Sequence, residues 1–201
     1  MTLREHWQQA YGRRATTAVS WFRPHLDVAL QLFDSLNLPP DSAIVDAGAG
    51  ASTWVDDLVA RGYTHLTAID LSPDALDVAR ARLGDRGAHV RWLAADICEA
   101  PIVPGSVDLW HDRAAFQFHV TDADRDRYRA ALHRALRPGG YAIVSTFADD
   151  GPERCSGLPT ARYDGPGLAA ALGLTLVASH RHVHRTPAGA EQRFVTALLR
   201  R

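Results

Sequence analysis

Ala43-Ile44-Val45-Asp46-Ala47-Gly48-Ala49-Gly50-Ala51-Ser52-Thr53 is an apolar run, an acid, two glycines one residue apart and the start of a helix. Glycine permits φ > 0 and lets a ligand lie against bare backbone. The helix that follows offers unpaired N–H groups to anything negatively charged. A second acid, Asp70, ends the next apolar run, His65-Leu66-Thr67-Ala68-Ile69, twenty residues past Gly50. A glycine turn with an acid at that distance marks a nucleoside site in which the acid holds ribose hydroxyls.

The same spacing argues against a dinucleotide. In G-x-G-x-x-G a third glycine lets the helix pack beside the pyrophosphate, and here Thr53 stands at that position. Asp46 would repel a pyrophosphate and suits a cationic amine instead. S-adenosyl-L-methionine is a nucleoside with a charged amino group and no phosphate, so it fits this chemistry. An ordinary strand–turn–helix is the alternative reading of the stretch taken alone.

Working outward, strand-like runs at Ala43–Asp46, Leu66–Asp70, Val90–Ala94, Val107–His111 and Tyr141–Phe147 alternate with helical patterns at Thr53–Arg61, Pro73–Leu83 and Asp122–Leu136. Ser72-Pro73-Asp74 is a helix start, with Ser72 as N-cap, and Pro138-Gly139-Gly140 stops the long helix. This alternation predicts an α/β fold, a doubly wound Rossmann-like sheet that is mostly parallel. After a helical Asp164–Leu172, the runs Leu174–His184 and Glu191–Leu199 flank a Pro/Gly turn and predict a C-terminal antiparallel hairpin. Residues 1–42 read as a helical preface, clearest at His25–Leu36, and 43–201 as the core of a single domain spanning 1–201.

The chain has 201 residues, 46% apolar and 22% charged, with a formal net charge of −1. That is the make-up of a soluble globular protein with no global pull toward nucleic acid or anionic membrane. All the basic side chains other than histidine are arginine. No apolar run approaches the ~20 residues that span a bilayer. Met1–Trp7 lacks the apolar core of a signal peptide, and two lone cysteines, Cys98 and Cys155, fit reduced thiols; the expected compartment is the cytoplasm.

The chain resembles the class I S-adenosylmethionine-dependent methyltransferases over nearly all of its length. Val45-Asp46-Ala47-Gly48-Ala49-Gly50 is similar to their first motif, which implies that Asp46, Gly48 and Gly50 hold the methionine end of the cofactor. The resemblance further implies that Asp70 takes the ribose hydroxyls with Leu71 flanking the adenine. It also places Asp96 on the adenine amino group, with Ile97 on the ring. Val107–Arg113 resembles the motif beside the methyl group, and Leu136-Arg137-Pro138-Gly139-Gly140 the signature turn before the fifth strand. Ser52 stands where many members carry a third glycine; it caps the next helix and still presents its N–H. His6-Trp7-Gln8-Gln9-Ala10-Tyr11 and Val19-Ser20-Trp21-Phe22 resemble the aromatic lid of small bacterial and some protein-lysine methyltransferases, with Gln8 and Arg14 where relatives often have an acid and a lysine. This implies that Tyr11 and Trp21 touch the cofactor; anchoring the preface on the sheet is the compatible plain reading.

Methyl transfer from a sulfonium asks mainly for alignment, with a base only where the nucleophile arrives protonated. His111, Asp112 and Arg113 follow a strand's carboxyl end, where open α/β sheets bind ligands, and are the expected catalytic residues. His111 is the candidate base, or a hydrogen-bonded structural histidine. Asp112 faces the cofactor's amino-acid part or the acceptor; Arg113 orients an acidic substrate or pairs with a neighbouring acid. His119 is read as the far wall of the same pocket, and Cys155 as a small loop residue or a low-pKa thiol. His180, His182 and His184 share one face of a strand, and no metal is expected there. The expected acceptor is a small molecule; a protein lysine is the runner-up, and a non-catalytic cofactor-binding protein the third possibility.

Overall fold

The computed structural model describes residues 2–12 and 19–201, so Arg14 lies outside the described residues. Helices α1 (Leu3–Gly12) and α2 (Asp27–Asp34) precede β1 (Ala43–Ala47), α3 (Trp54–Ala60), β2 (His65–Asp70), α4 (Pro73–Leu83), β3 (Arg91–Ala94) and β4 (Val107–Arg113). There follow α5 (Asp122–Ala135), β5 (Leu136–Phe147), two short strands β6 (Arg154–Cys155) and β7 (Leu158–Pro159), α6 (Gly165–Leu172), and the hairpin β8 (Thr175–Arg185) and β9 (Glu191–Arg200).

Seven of the strands form one sheet in the order β3-β2-β1-β4-β5-β9-β8. The first five run parallel; β9 lies antiparallel to both β5 and β8. The predicted mostly parallel sheet with an antiparallel C-terminal pair is therefore the observed one. Period-two alternation sends successive side chains to opposite faces. Val45, Trp110 and Val144 pack with Tyr128, Leu132 and Leu168 of α5 and α6. Ile44, Leu109 and Ile143 pack with Phe33, Trp54 and Leu76 of α2, α3 and α4. Each buried Leu or Phe in these layers contributes roughly 1.5–3 kcal/mol of transfer free energy.

The caps that start the helices are local. Ser72 Oγ accepts the Ala75 N–H at 3.2 Å, Thr121 Oγ1 that of Asp124 at 3.1 Å, and Asp164 Oδ1 that of Gly167 at 2.7 Å. β5 begins earlier than the sequence predicts, at Leu136 rather than Tyr141. Leu136 pairs with Val107 and Tyr141 with Leu109, and the residues between are absorbed by a register shift in which Gly139 takes φ 77°. β1 and β4 end side by side, with Asp46 opposite His111 and Ala47 opposite Asp112. That register places the site.

Candidate active site

A cavity of about 250 Å³ opens at the carboxyl ends of β1, β2 and β4. Asp46, Asp70 and Asp96 all line it, the first two from the ends of β1 and β2 and the third from just past β3. Alternation along β1 aims Asp46 at the face that carries His111. Asp46 Oδ1 lies 2.7 Å from His111 Nδ1, both residues buried, and the imidazole stacks on Trp54 at 4.1 Å with a 15° interplanar angle. A carboxylate oxygen at this distance is placed to accept from Nδ1 and so orients the ring, turning Nε2 away from Asp46. Asp46 Oδ2 and His111 Nε2 have no hydrogen-bond partner among the described residues.

Asp70 braces the first turn. Its Oδ2 accepts the Gly50 N–H and its Oδ1 the Ser72 N–H, each at 2.8 Å. Burial raises its carboxyl from 3.8 to about 6 against the pull of those N–H groups. Gly48 and Gly50 both take positive φ, 71° and 52°. A Cβ on Gly48 would lie 2.4 Å from the Cβ of Ala115, and one on Gly50 only 2.1 Å from the Tyr11 hydroxyl. The turn is therefore open to close approach from β4's loop on one side and α1 on the other. Ser52 Oγ accepts the Trp54 N–H at 3.1 Å, one residue ahead of the α3 N-cap Thr53, whose own side chain makes no capping bond. Asp96 is partly exposed, accepts the Cys98 N–H at 2.8 Å and sits 3.6 Å from Arg127; Leu71 and Ile97 are beside it on the wall.

The preface closes over this floor. Trp7 meets Phe118 at 5.0 Å and Trp21 at 5.9 Å, and Tyr11 meets Trp21 at 5.7 Å. The Trp21 indole N–H donates to the Tyr11 hydroxyl at 3.2 Å, and Ser72 donates to Gln8 at 3.0 Å. Burial, with the nearby Asp70 carboxylate, pushes the Tyr11 hydroxyl well up, so it is a neutral donor. Tyr11 and Trp21 thus lie in the cavity wall, while Gly50 is covered by Tyr11.

Of the three expected catalytic residues the structure brings two to the cavity. Asp112 is a correction. One residue along from His111 on a strand, it points to the other face and is fully buried beneath α5. There it accepts the Tyr128 hydroxyl at 2.6 Å and the N–H groups of Ala115 and Phe116 at 3.0 Å each. It shapes the loop after β4 and faces neither cofactor nor acceptor. Arg113 returns to the cavity face, donates to the Trp21 carbonyl at 2.8 Å and lies over the Phe194 ring at 5.4 Å.

Cys155 and Cys98 both line the cavity, and burial raises both thiols, Cys98 up to about 12. Burial thus works against the low-pKa reading of Cys155. His119 is in the wall as expected, its ring 6.0 Å from Phe116. The histidine row of β8 is divided in use: His184 donates to the Ser20 carbonyl at 2.6 Å, His182 stacks on Phe194, and His180 is exposed. Among the described residues no group of three or more His, Cys, Asp or Glu side chains is placed to hold a metal. Trp7 and Phe118 line the cavity and Trp54 stacks on His111; the sequence named Trp7 only as part of the aromatic segment, and Trp54 reads there as an ordinary core position of an amphipathic helix.

Residues 44–140 match a family model described as a methyltransferase domain. The malonyl-[acyl-carrier protein] O-methyltransferase of Serratia marcescens is 33% identical over 122 residues, covering 61% of this chain and 45% of that protein. The EEF1A lysine methyltransferase 2 of Mus musculus is 22% identical over 157 residues, 71% of this chain and 64% of that one. The chain spans about half the length of the malonyl-carrier relatives it matches. Among solved structures, the 1,6-didemethyltoxoflavin-N1-methyltransferase of Burkholderia thailandensis, with bound 1,6-didemethyltoxoflavin and S-adenosylhomocysteine, superposes with a TM-score of 0.75. It is 27% identical, covering 99% of this chain and 87% of that one.

Proposed function

This chain carries a methyltransferase domain of the class I S-adenosylmethionine-dependent kind, and from that premise we propose that it methylates a nucleophilic atom of a small-molecule acceptor by in-line displacement. The observation that carries the reading is the Asp46–His111 pair in the cavity wall, with one carboxylate oxygen and one imidazole nitrogen that have no partner among the described residues. An orphaned carboxylate oxygen fits a cationic amino group, so the residues present suit the cofactor. In this proposal Asp46 faces its ammonium, Asp70 its ribose, and Asp96, Leu71 and Ile97 its adenine, with Tyr11 and Trp21 closing over it from the preface. S-adenosylmethionine supplies a methyl group already activated on a sulfonium.

The protein's own part is binding, orientation and one proton. His111 Nε2, with the ring oriented by the Asp46 contact at Nδ1, takes the proton from an acceptor that arrives protonated. Trp54 holds the ring in plane by stacking, so Nε2 keeps one heading. Trp7, Trp21 and Phe118 exclude water from the mouth. Likeness to a lysine methyltransferase supports a protein acceptor as the second reading.

Methyl-labelled S-adenosylmethionine incubated with cell lysate separates the two. Label in the low-mass filtrate supports the small-molecule reading; label in protein replaces it with the second. With an acceptor in hand, His111→Gln lowers kcat by about 10²–10⁴ while the cofactor Kd stays within threefold. An unchanged kcat removes His111 as the base.

A further inference from the structure

Among the described residues, Arg113 is the arginine of the cavity wall that has no ion-pair partner. Arg23 is paired with Asp27 at 2.7 Å, and Arg127 with Glu99 at 3.1 Å. Arg113 has no ion-pair partner among the described residues: one Nη1–H goes to the Trp21 carbonyl, and the guanidinium rests over the Phe194 ring. Its Nε–H and Nη2–H edge has no protein acceptor among those residues. That edge is a planar, two-pronged donor of the shape that meets two carboxylate oxygens. Partial burial and the nearby Arg23 charge lower its pKa to about 10, the mark of a cation short of anionic company.

The placement is specific. Arg113 and His111 stand on the same face of β4, two residues and so ~6.6 Å of strand apart. Phe194 lies on β9, on the side of β4 away from β1 and β2, and Cys155 lines the same cavity as Arg113. Ala114, held at φ 65°, turns the chain sharply just after it, and its N–H donates to the Ser145 carbonyl at 2.8 Å. The guanidinium is thus held by the Trp21 carbonyl and the Phe194 ring, on the His111 face of β4.

We propose that Arg113 is the anchor for a carboxylate carried by the acceptor, so that the substrate is an organic acid whose reacting atom lies beside His111. The proposal rests on the methyl-transfer reading above. The same charge disfavours a lysine ammonium as acceptor, because two cations would share one low-dielectric wall.

The test uses the full-length protein saturated with S-adenosylhomocysteine. Benzoate, salicylate and malonate are titrated by ligand-detected NMR against their neutral amides. At least one carboxylate is expected to bind ten times or more tighter than its amide. Arg113→Met should erase that preference while the S-adenosylhomocysteine Kd from calorimetry stays within threefold. Arg113→Lys, which keeps the charge and loses the fork, should retain only part of it and serves if the methionine variant does not fold. Equal binding of acids and amides by the wild type overturns the proposal. So does a tenfold weaker S-adenosylhomocysteine Kd in the variants with the preference intact, which would assign Arg113 to the cofactor's own carboxylate. Failure of the wild type to bind S-adenosylhomocysteine overturns the methyl-transfer reading itself, and the anchor with it.

Discussion

Asp70 spends one lone pair of each oxygen on the protein, accepting Gly50 and Ser72, and keeps the others toward the cavity. Its folded value of about 6 lies above the ordinary 3.8, with burial the leading cause. In the protein alone this contribution favours the fold under acid conditions and is lost as pH rises from 3.8 through about 6. Ligand binding has the opposite sign, since hydroxyls that donate to Asp70 need the ionised form. The S-adenosylhomocysteine Kd is expected to tighten as pH climbs through about 6 and to weaken roughly tenfold per unit below it. Calorimetry across that range checks it, and Asp70→Asn should flatten the profile. A wild-type Kd that ignores pH would remove Asp70 from the ligand contact.

Where chemistry and spacing agreed, the residues expected together are found together: Asp46 and Asp70 in one cavity wall, and Ser72 capping α4. Asp112 was misplaced because three consecutive residues were taken as one site. The period of a strand allows His111 and Arg113 on one face and forbids the residue between them. The pairing of Asp46 with His111, 65 positions apart, has no local signal. It follows from strands β1 and β4 being neighbours, which only the sheet order decides.

At the scale of elements, α1 is held over the first turn by Tyr11 and Trp7, and the close approach of Tyr11 to Gly50 makes that contact testable. Gly50→Ala adds a Cβ where φ is 52° and the Tyr11 hydroxyl is 2.1 Å away. The backbone strain alone costs about 1–2 kcal/mol. Displacement of α1 should further raise the S-adenosylhomocysteine Kd at least tenfold. Tyr11→Phe removes the offending oxygen, so the two changes should be non-additive in a double-mutant cycle of affinities. Strict additivity would mean α1 has no part in closing the site. The long alternating elements were legible because apolar periodicity is set residue by residue. The β6–β7 hairpin was not, since strands of two residues carry no period.

The molecule as a whole is a two-sided sheet whose cavity edge is assembled from the segments after five successive strands and a preface. Ligand bound only to that folded edge stabilises it by mass action. S-adenosylhomocysteine at a hundred times its Kd should add about 2.7 kcal/mol. For a chain of this size that raises Tm by about 5–11 °C, and NAD at the same concentration should leave it unmoved. Thermal denaturation followed by circular dichroism reads both. A matching shift with NAD would point to a site that does not distinguish the sulfonium nucleoside from a dinucleotide.

Local pattern alone determined that this chain alternates strands and helices, ends in a hairpin, and presents a glycine turn with acids at two later strand ends. Those features depend on near neighbours in the chain: side-chain period, capping and the steric freedom of glycine. Only the tertiary structure decided that Asp46 orients His111, that Asp112 faces the core, and that Arg113 stands in the wall with no carboxylate partner among the described residues. Each of these depends on which strands lie side by side and which face a side chain meets. Sheet order and long-range packing set both, and no stretch of sequence carries them by itself.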